Sequence, residues 1–195
     1  RIIVDAAAAN AKNRLGSAAF PFASLTEASQ AATHDGDTVL VRAGTYQENA
    51  GVNWTAGVTV LGDSTAVAPP RVVGAGSGTG MHFLQPGPNE VRYLEVSGFD
   101  TAVVLLGNLG RARFRGFVTH DVVQAIGVVN RQLELTVTGS RLFGRASYIT
   151  TLAGTGIGGG SSPTLGQVNP QVDTLRVEQT EISLFWSGIW LGADT

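Results

Sequence analysis

Short apolar runs separated by turn residues dominate the first half of the chain. Glycine, proline and aspartate are concentrated in the segments between the runs, where they favour tight turns. Alternation and β-branched residues within the runs indicate strands rather than helices. The pattern predicts an all-β fold of many short strands, either a solenoid or a sandwich. The runs are Ile2–Val4, Thr38–Val41, Val58–Leu61, Arg71–Val73 and Met81–Leu84.

One short helix is predicted before the strands become regular. Ser24 and Glu27 form a capping box, in which the Ser24 hydroxyl accepts from the N–H of Glu27 and the Glu27 carboxylate returns a bond. Apolar residues between Leu25 and Ala32 then share one helical face. Gly36 can adopt the left-handed conformation that ends a helix. We therefore expect two to three helical turns that begin near Leu25.

A sequence repeat favours the solenoid over the sandwich. A unit of roughly 20 residues with three short strands and three turns is one coil of a parallel β-helix, and coils must stack to bury their inner faces. A sandwich would instead predict antiparallel hairpins with Asn-Gly or Asp-Gly turns. The alignment matches Tyr93, Phe114, Val137 and Val177 in one column, and Val96, Phe117, Ser140 and Thr180 in a second.

The spacing of the repeat changes once. The first three units follow one another at nearly equal intervals, but the interval from Val137 to Val177 is almost twice as long. Because the intervening segment is too rich in glycine for a strand, we expect residues 154–170 to form a loop extruded from the coil. In the last unit, alternation predicts that Leu175 and Val177 point inward.

Residues 21–48 resemble the entry segment of the pectate-lyase-like superfamily. In that superfamily a Pro-Phe-x-Ser/Thr-Leu segment leads a short capping helix, and a Gly-Asp-Thr-Val strand followed by Gly-Thr-Tyr opens the first coil. Pro21, Leu25, Gly36–Val39 and Tyr46 occupy these places, and Glu48 follows. The resemblance implies a right-handed parallel β-helix whose N-terminal helix covers one end of the core. It implies little about function, because this fold serves lyases, hydrolases, epimerases, adhesins and inert spikes.

We expect a single β-helix domain over residues 1–195. Residues 1–37 would hold the N-terminal strand and capping helix, and residues 38–195 the coils. The last segment contains Trp186 and Trp190 but no second cap, and an uncovered apolar coil invites association. Either the chain is a fragment of a longer protein, or a neighbouring subunit covers this end.

Composition excludes several classes of function. The formal net charge is −2 and there is no cysteine, which argues against a nucleic-acid binder and excludes disulfides and thiolate metal sites. No apolar stretch is long enough to make a membrane-spanning helix. Since the chain begins at Arg1 rather than Met, an export leader could already be removed. We expect an extracellular, cell-surface or periplasmic location.

A group of arginines is the best candidate for ligand binding. Arg111, Arg113 and Arg115 alternate with apolar residues, so all three are expected to face outward. The alignment places Arg92 one coil away from Arg113, and stacked like charges are mildly destabilising. An acidic polysaccharide would relieve that repulsion through its carboxylates or sulfates.

A structural alternative explains the same arginines. Glu90, Arg111 and Glu134 align across three coils with alternating sign, which would make a ladder of salt bridges with no ligand.

The candidates for chemistry are few. For a lyase the resemblance implies a lysine or arginine base and often calcium held by clustered acids. Lys12 precedes the first coil, so Arg113 or Arg115 would have to be the base. There is no stack of acidic residues for calcium, so no metal site and no cofactor are assigned. His120 could act with Asp121, but neighbours on a strand point to opposite faces.

Trp54 is the other candidate for ligand binding. It lies in an apparent turn, Asn53–Thr55, where an indole could stack on a sugar. The leading hypothesis is therefore a secreted or surface-displayed β-helix module with a structural or carbohydrate-binding role and no catalysis. The alternatives are a polysaccharide lyase with an arginine base and a subunit of a larger cell-surface assembly.

Overall fold

A computed structural model describes residues 1–145, 155–159, 172–183 and 187–190, with the backbone alone for 155–159 and 187–190. Over these residues the chain is mostly β-strand, with one 3-10 helix (Ala6–Asn10) and one α-helix, α1 (Leu25–Ala31). Neither helix is long and apolar enough to cross a membrane. The prediction of an all-β chain of short parallel strands is confirmed.

The strands form three parallel sheets, and from β2 onward successive strands pass from one sheet to the next. Sheet I contains β1 (Ile2–Val4), β2 (Asp37–Val41), β5 (Val58–Gly62), β8 (Pro88–Arg92), β11 (Gly110–Arg115), β14 (Gln132–Thr138) and β17 (Leu175–Glu178). Sheet II contains β3 (Thr45–Gln47), β6 (Arg71–Val73), β9 (Glu95–Ser97), β12 (Val118–Val122), β15 (Arg141–Gly144) and β18 (Glu181–Ser183). Sheet III contains β4 (Val52–Trp54), β7 (Thr79–Phe83), β10 (Thr101–Leu105), β13 (Gln124–Val128), β16 (Thr155–Gly159) and β19 (Ser187–Trp190).

From β2 onward, every three consecutive strands place one strand in each sheet. We call such a set a coil, so β2–β4 form coil 1 and β17–β19 form coil 6. Each strand is paired in parallel with the strand three positions later, for example β8 with β11 and β11 with β14. Neighbouring coils are therefore about 4.8 Å apart, the spacing of paired strands.

The inner side chains of the three sheets share one hydrophobic core. On β11 burial alternates residue by residue, with Ala112 and Phe114 buried and the three arginines exposed. Phe114 is 1% exposed, pairs with Val91 and Val137 of the adjacent coils, and its ring centroid lies 5.3 Å from that of Phe117. Each coil thus removes the inner face of its neighbours from water, which is the main stabilising contribution.

The α-helix contributes to this core at its N-terminal end. The Ser24 bond of the capping box is confirmed, since Ser24 Oγ accepts from the N–H of Glu27 at 3.1 Å. The Glu27 carboxylate accepts from the N–H of Ala23, the residue before the N-cap, at 2.8 Å, and not from that of Ser24 as a capping box predicts. Leu25 and Ala28 are fully buried in the core, and the helix packs against β1 and β4.

The helix ends earlier than the position of Gly36 suggests. Its last residue is Ala31, with Ala32 as the C-cap. Gly36 does take the left-handed conformation, with φ of +89°, but in the turn that leads into β2. Its N–H donates to the carbonyl of Gly57 in the next coil, at 2.7 Å. The glycine therefore connects coils rather than ending the helix.

Glu48 holds the start of the helix against the first coil. This residue follows β3 and is 4% exposed. Its carboxylate accepts from the N–H of Leu25 at 2.5 Å and from Thr26 Oγ1 at 2.6 Å. A helix N-terminus has backbone N–H groups without intrahelical partners, and a carboxylate there satisfies them and interacts favourably with the helix dipole.

We expect Glu48→Ala to lower the free energy of unfolding by about 2 kcal/mol. The substitution leaves the N–H of Leu25 and the Thr26 hydroxyl without their acceptor in a largely buried place. Glu48→Gln keeps one carbonyl acceptor and should lose about half as much. Urea denaturation of the two variants beside the wild type measures this, and equal losses would contradict the capping role.

The alignment of coil 3 with coil 4 is wrong by two residues. Phe114 pairs with Val91 and not with Tyr93, whereas its match to Val137, and that of Val137 to Val177, is confirmed. Tyr93 instead lies in the turn between β8 and β9, with φ of +51°. A shift of two residues keeps every side chain on the same face, so alternation alone does not reveal it.

The second aligned column shows the same shift. Val96 pairs with Thr119 rather than stacking on Phe117. Phe117, Ser140 and Thr180 do stack on one another. The N–H of Arg141 donates to the Phe117 carbonyl at 2.9 Å, and the N–H of Glu181 donates to the Ser140 carbonyl at 3.0 Å. The predicted inward positions of coil 6 are supported in sheet I, where half-buried Leu175 and Val177 pack against the core.

The expected loop over residues 154–170 is wrong in its first part. Thr155–Gly159 form β16, the strand that coil 5 contributes to sheet III. Ile157 pairs with Ile126 on one side and with Ile189 on the other. Pairing on both sides satisfies the backbone and overrides the low strand propensity of glycine. The remainder, residue 154 and residues 160–170, lies outside the described residues.

Candidate functional site

Five arginines lie on the outer side of sheet I in coils 3, 4 and 6. We call this surface the arginine face. The arginines alternate with inward-pointing apolar residues along their strands, because successive side chains of a strand point to opposite sides of the sheet. The prediction that the three arginines of β11 face outward is confirmed. The members of the arginine face are Arg92, Arg111, Arg113, Arg115 and Arg176.

The structure changes which of these arginines are neighbours. Arg92 pairs with Arg115, and Arg113 pairs with Glu90, so the expected stacking of Arg92 on Arg113 is wrong. A like-charge stack does exist, but it joins Arg92 to the next outward arginine of β11. The cause is the same two-residue shift in coil 3, which moves every outward residue of β8 relative to β11.

The proposed ladder of salt bridges is correct for one of its two steps. Arg111 pairs with Glu134 and its Nε lies 4.0 Å from the carboxylate. Arg113 approaches the same carboxylate more closely, with Nη2 3.4 Å from Oε1. The step from Glu90 to Arg111 is wrong, because Pro88 is the residue of β8 that pairs with Arg111.

Two further glutamates are paired within their own strands. Arg92 Nη2 donates to Glu90 Oε2 at 2.6 Å, and this hydrogen bond raises the pKa of Arg92. Arg176 Nη2 lies 2.8 Å from Glu178 Oε1. The three glutamates of the face thus each contact an arginine of the same strand or of the adjacent coil, and they leave part of the positive charge uncompensated.

Arg115 is the uncompensated member of the arginine face. Its side chain is exposed and makes no ion pair or side-chain hydrogen bond with any of the described residues. Its paired neighbours across the coils are Arg92, which is engaged by Glu90, and Thr138. Five arginines and three glutamates give the face an excess of positive charge in a chain whose net charge is −2.

An aromatic ring lies at the edge of this face. Tyr93 follows Arg92 directly, is 40% exposed, and its N–H donates to the carbonyl of Arg115 at 2.9 Å. A Cβ atom on Gly116 would lie only 2.8 Å from Cδ1 of the Tyr93 ring, so the ring rests against that glycine. Sequence reasoning missed this residue, because the alignment matched Tyr93 with inward-pointing positions.

His120 belongs to a different group on the outer side of sheet II. Its Nε2 lies 2.7 Å from Glu95 Oε1, and the same oxygen accepts from Arg71 Nε at 2.6 Å. Asp121 points elsewhere and accepts from Arg145 Nε at 2.9 Å. The expectation that His120 and Asp121 do not cooperate is supported. Side-chain pairs between adjacent coils, such as Glu95 and His120, cannot be recognised from the sequence until the strand register is known.

Trp54 does not form a sugar-stacking site. It is the last residue of β4, is 0% exposed, and its ring lies 6.4 Å from that of Phe83 in a stacked arrangement. The prediction of an exposed turn is wrong because Val52–Trp54 is a short strand with too few positions to show alternation. A side chain without exposed surface cannot contact a polysaccharide.

The predicted tryptophan contact in the last coil falls outside the described residues. This holds for Trp186 and for the side chain of Trp190.

Clustered metal ligands are not found in the part of the chain that the structure describes. No group of three or more histidine, aspartate or glutamate side chains is placed there to hold a metal ion.

Comparison with known proteins adds no relative to this picture. No family model, no curated protein and no solved structure matches the chain. The geometry of the arginine face is therefore the basis on which its function is inferred.

Proposed function

We propose that this chain is a right-handed parallel β-helix module, secreted or displayed at a cell surface, whose arginine face binds an acidic polysaccharide without catalysing a reaction. The observation that supports this most is the exposed Arg115, which has no side-chain partner among the described residues, within a face of five arginines and three glutamates. Acidic polysaccharides occur outside cells, which is the support for a secreted or surface-displayed location.

The way in which the sheets are connected supports a right-handed helix. Each coil leaves sheet I, adds a strand to sheets II and III, and returns to sheet I beside its starting strand. Such connections between parallel strands of one sheet are right-handed in about 98% of cases. The single core that joins side chains from all three sheets also supports closure into one solenoid.

The chemistry of the face suits a polymer of carboxylates or sulfates. Guanidinium groups present several N–H donors in a plane and bind such groups in pairs of hydrogen bonds. Arg92 and Arg115 are stacked at the spacing of one coil, about 4.8 Å, so an anion between them would relieve their repulsion. A sheet of stacked strands offers a long, flat surface, which matches an extended chain better than a small molecule.

We expect the wild type to bind polygalacturonate and Arg115→Gln to bind it about tenfold more weakly. The loss reflects one charge-assisted contact. Arg141→Gln is the matched control, since Arg141 is an exposed arginine of sheet II with no side-chain partner among the described residues. Titration calorimetry at low and high salt measures the affinities, and added salt should weaken binding.

Two results would contradict this proposal. One is equal loss of affinity in Arg115→Gln and Arg141→Gln, which would mean binding by net charge alone. The other is binding of neutral dextran as strongly as polygalacturonate. Ultraviolet absorbance of unsaturated uronate during the titration would instead indicate a lyase with an arginine base, and its dependence on Arg115 or Arg113 would identify that base.

A further inference from the structure

The turn between β8 and β9 holds Tyr93 in an unusual conformation. Its φ is +51°, in the left-handed region that bulky side chains rarely adopt. The carbonyl oxygen of Tyr93 occupies the place that a Cβ atom on Gly62 would need, so the turn backbone lies directly against the preceding coil. On the other side, Gly116 of the following coil leaves room for the ring itself.

The ring is therefore fixed, yet remains accessible. The backbone N–H of Tyr93 donates to the Arg115 carbonyl at 2.9 Å, its carbonyl lies against Gly62 of the preceding coil, and its ring rests against Gly116 of the following coil. Tyr93 nevertheless remains 40% exposed, because Gly116 supports its ring from one side only. A rigid aromatic side chain binds a ligand at low cost in conformational entropy.

The chemistry around the ring combines two kinds of contact. Arg92 precedes Tyr93 in the chain, and Arg115 precedes the glycine that supports the ring. A uronic acid carries a carboxylate directly on its sugar ring, so an apolar C–H face and an anion lie close together in one unit. Tyr93 and Arg115 are joined by a backbone hydrogen bond, and they offer an aromatic ring and a guanidinium without a partner among the described residues, which matches that pair of features.

We propose that Tyr93 is a stacking platform for one sugar ring of an acidic polysaccharide, with Arg115 binding the carboxylate of the same uronic acid. This inference rests on the proposed function and assigns the ligand class, since a polyanion without sugar rings would use the arginines but not the platform. Tyr93 distinguishes a uronic acid from a simple anion, and Arg115 distinguishes a uronic acid from a neutral sugar.

The test compares two polymers of similar charge on the same variants. One is an oligogalacturonate and the other is polyglutamate, which has carboxylates but no sugar rings. Tyr93→Asn removes the ring while keeping a residue that tolerates left-handed backbone, so the turn should fold. Tyr93→Phe keeps the ring and serves as the control. Thermal unfolding of each variant shows whether the fold is intact.

We expect Tyr93→Asn to weaken oligogalacturonate binding about three- to tenfold and to change polyglutamate binding less than about twofold. Tyr93→Phe should bind both polymers within about twofold of the wild type, and Arg115→Gln should weaken both. Unchanged binding of oligogalacturonate to a folded Tyr93→Asn would contradict the stacking role of Tyr93 without contradicting polysaccharide binding by the arginine face. Wild type that binds no oligogalacturonate would overturn the function and the platform together.

Discussion

Phe114→Asp is expected to unfold or aggregate the chain. Phe114 is 1% exposed on an interior strand of sheet I, between Val91 and Val137, and its ring contacts Phe117. Removing a buried phenylalanine costs about 3–5 kcal/mol, and placing a carboxylate in the same apolar site adds several more. The sum is comparable to the whole stability of a typical domain, about 5–15 kcal/mol.

Circular dichroism and urea denaturation measure this effect, and the neighbouring residue provides the control. Arg115→Asp introduces the same side chain one position along the same strand, on the outer side. It should change the free energy of unfolding by about 0.5 kcal/mol or less. A soluble, cooperatively folded Phe114→Asp would show that the assigned inner face of sheet I is wrong.

Trp54→Ala is expected to lower the free energy of unfolding by about 3–5 kcal/mol without changing polysaccharide binding. Trp54 is 0% exposed, and it stacks on Phe83 of the next coil in sheet III. The substitution leaves a large cavity that the surrounding strands cannot close. Urea denaturation measures the loss, and calorimetry with polygalacturonate at low temperature measures the unchanged affinity.

Trp54→Phe separates packing from polar effects at the same position. The Nε1 of Trp54 is buried and has no hydrogen-bond partner among the described residues. Phenylalanine removes this unsatisfied donor while it gives up some volume, so the two effects oppose each other and leave a net change of about 1 kcal/mol. If both Trp54 variants fold but bind the polysaccharide more weakly than the wild type, Trp54 belongs to the binding site after all.

Alternation was sufficient to predict which residues of β11 face the core and which face water. It identified Phe114 as buried and the arginines around it as exposed, because the side-chain period of a strand is two whatever its neighbours are. The helix start at Ser24 was equally local, since a capping box depends only on residues within the first helical turn. These features need no knowledge of the rest of the fold.

Register between coils was not predictable in the same way. Val91 and Tyr93 occupy alternate positions, and a shift of two residues preserves alternation, so only the observed pairing with Phe114 decides between them. The register between β8 and β11 determines whether Arg92 stacks on Arg113 or on Arg115. It therefore also determines which arginine lacks a partner among the described residues. The candidate site depends on this choice, so sequence reasoning identified its arginines but not their arrangement.

Contacts between distant parts of the chain explain the remaining differences. Glu48 binds the start of a helix that lies well before it in the chain, and His120 meets Glu95 only because one coil brings them together. Thr155–Gly159 form a strand because both neighbouring strands pair with it. Composition and local propensity do not contain such information, since tertiary pairing decides the outcome.

A crystal structure of the protein with a bound oligogalacturonate tests the central claim most directly. The account predicts that the sugar lies on the outer side of sheet I, with a carboxylate on Arg115 and a sugar ring on Tyr93. A ligand bound instead at the Arg71, Glu95 and His120 group of sheet II would contradict the assignment of the arginine face as the binding site.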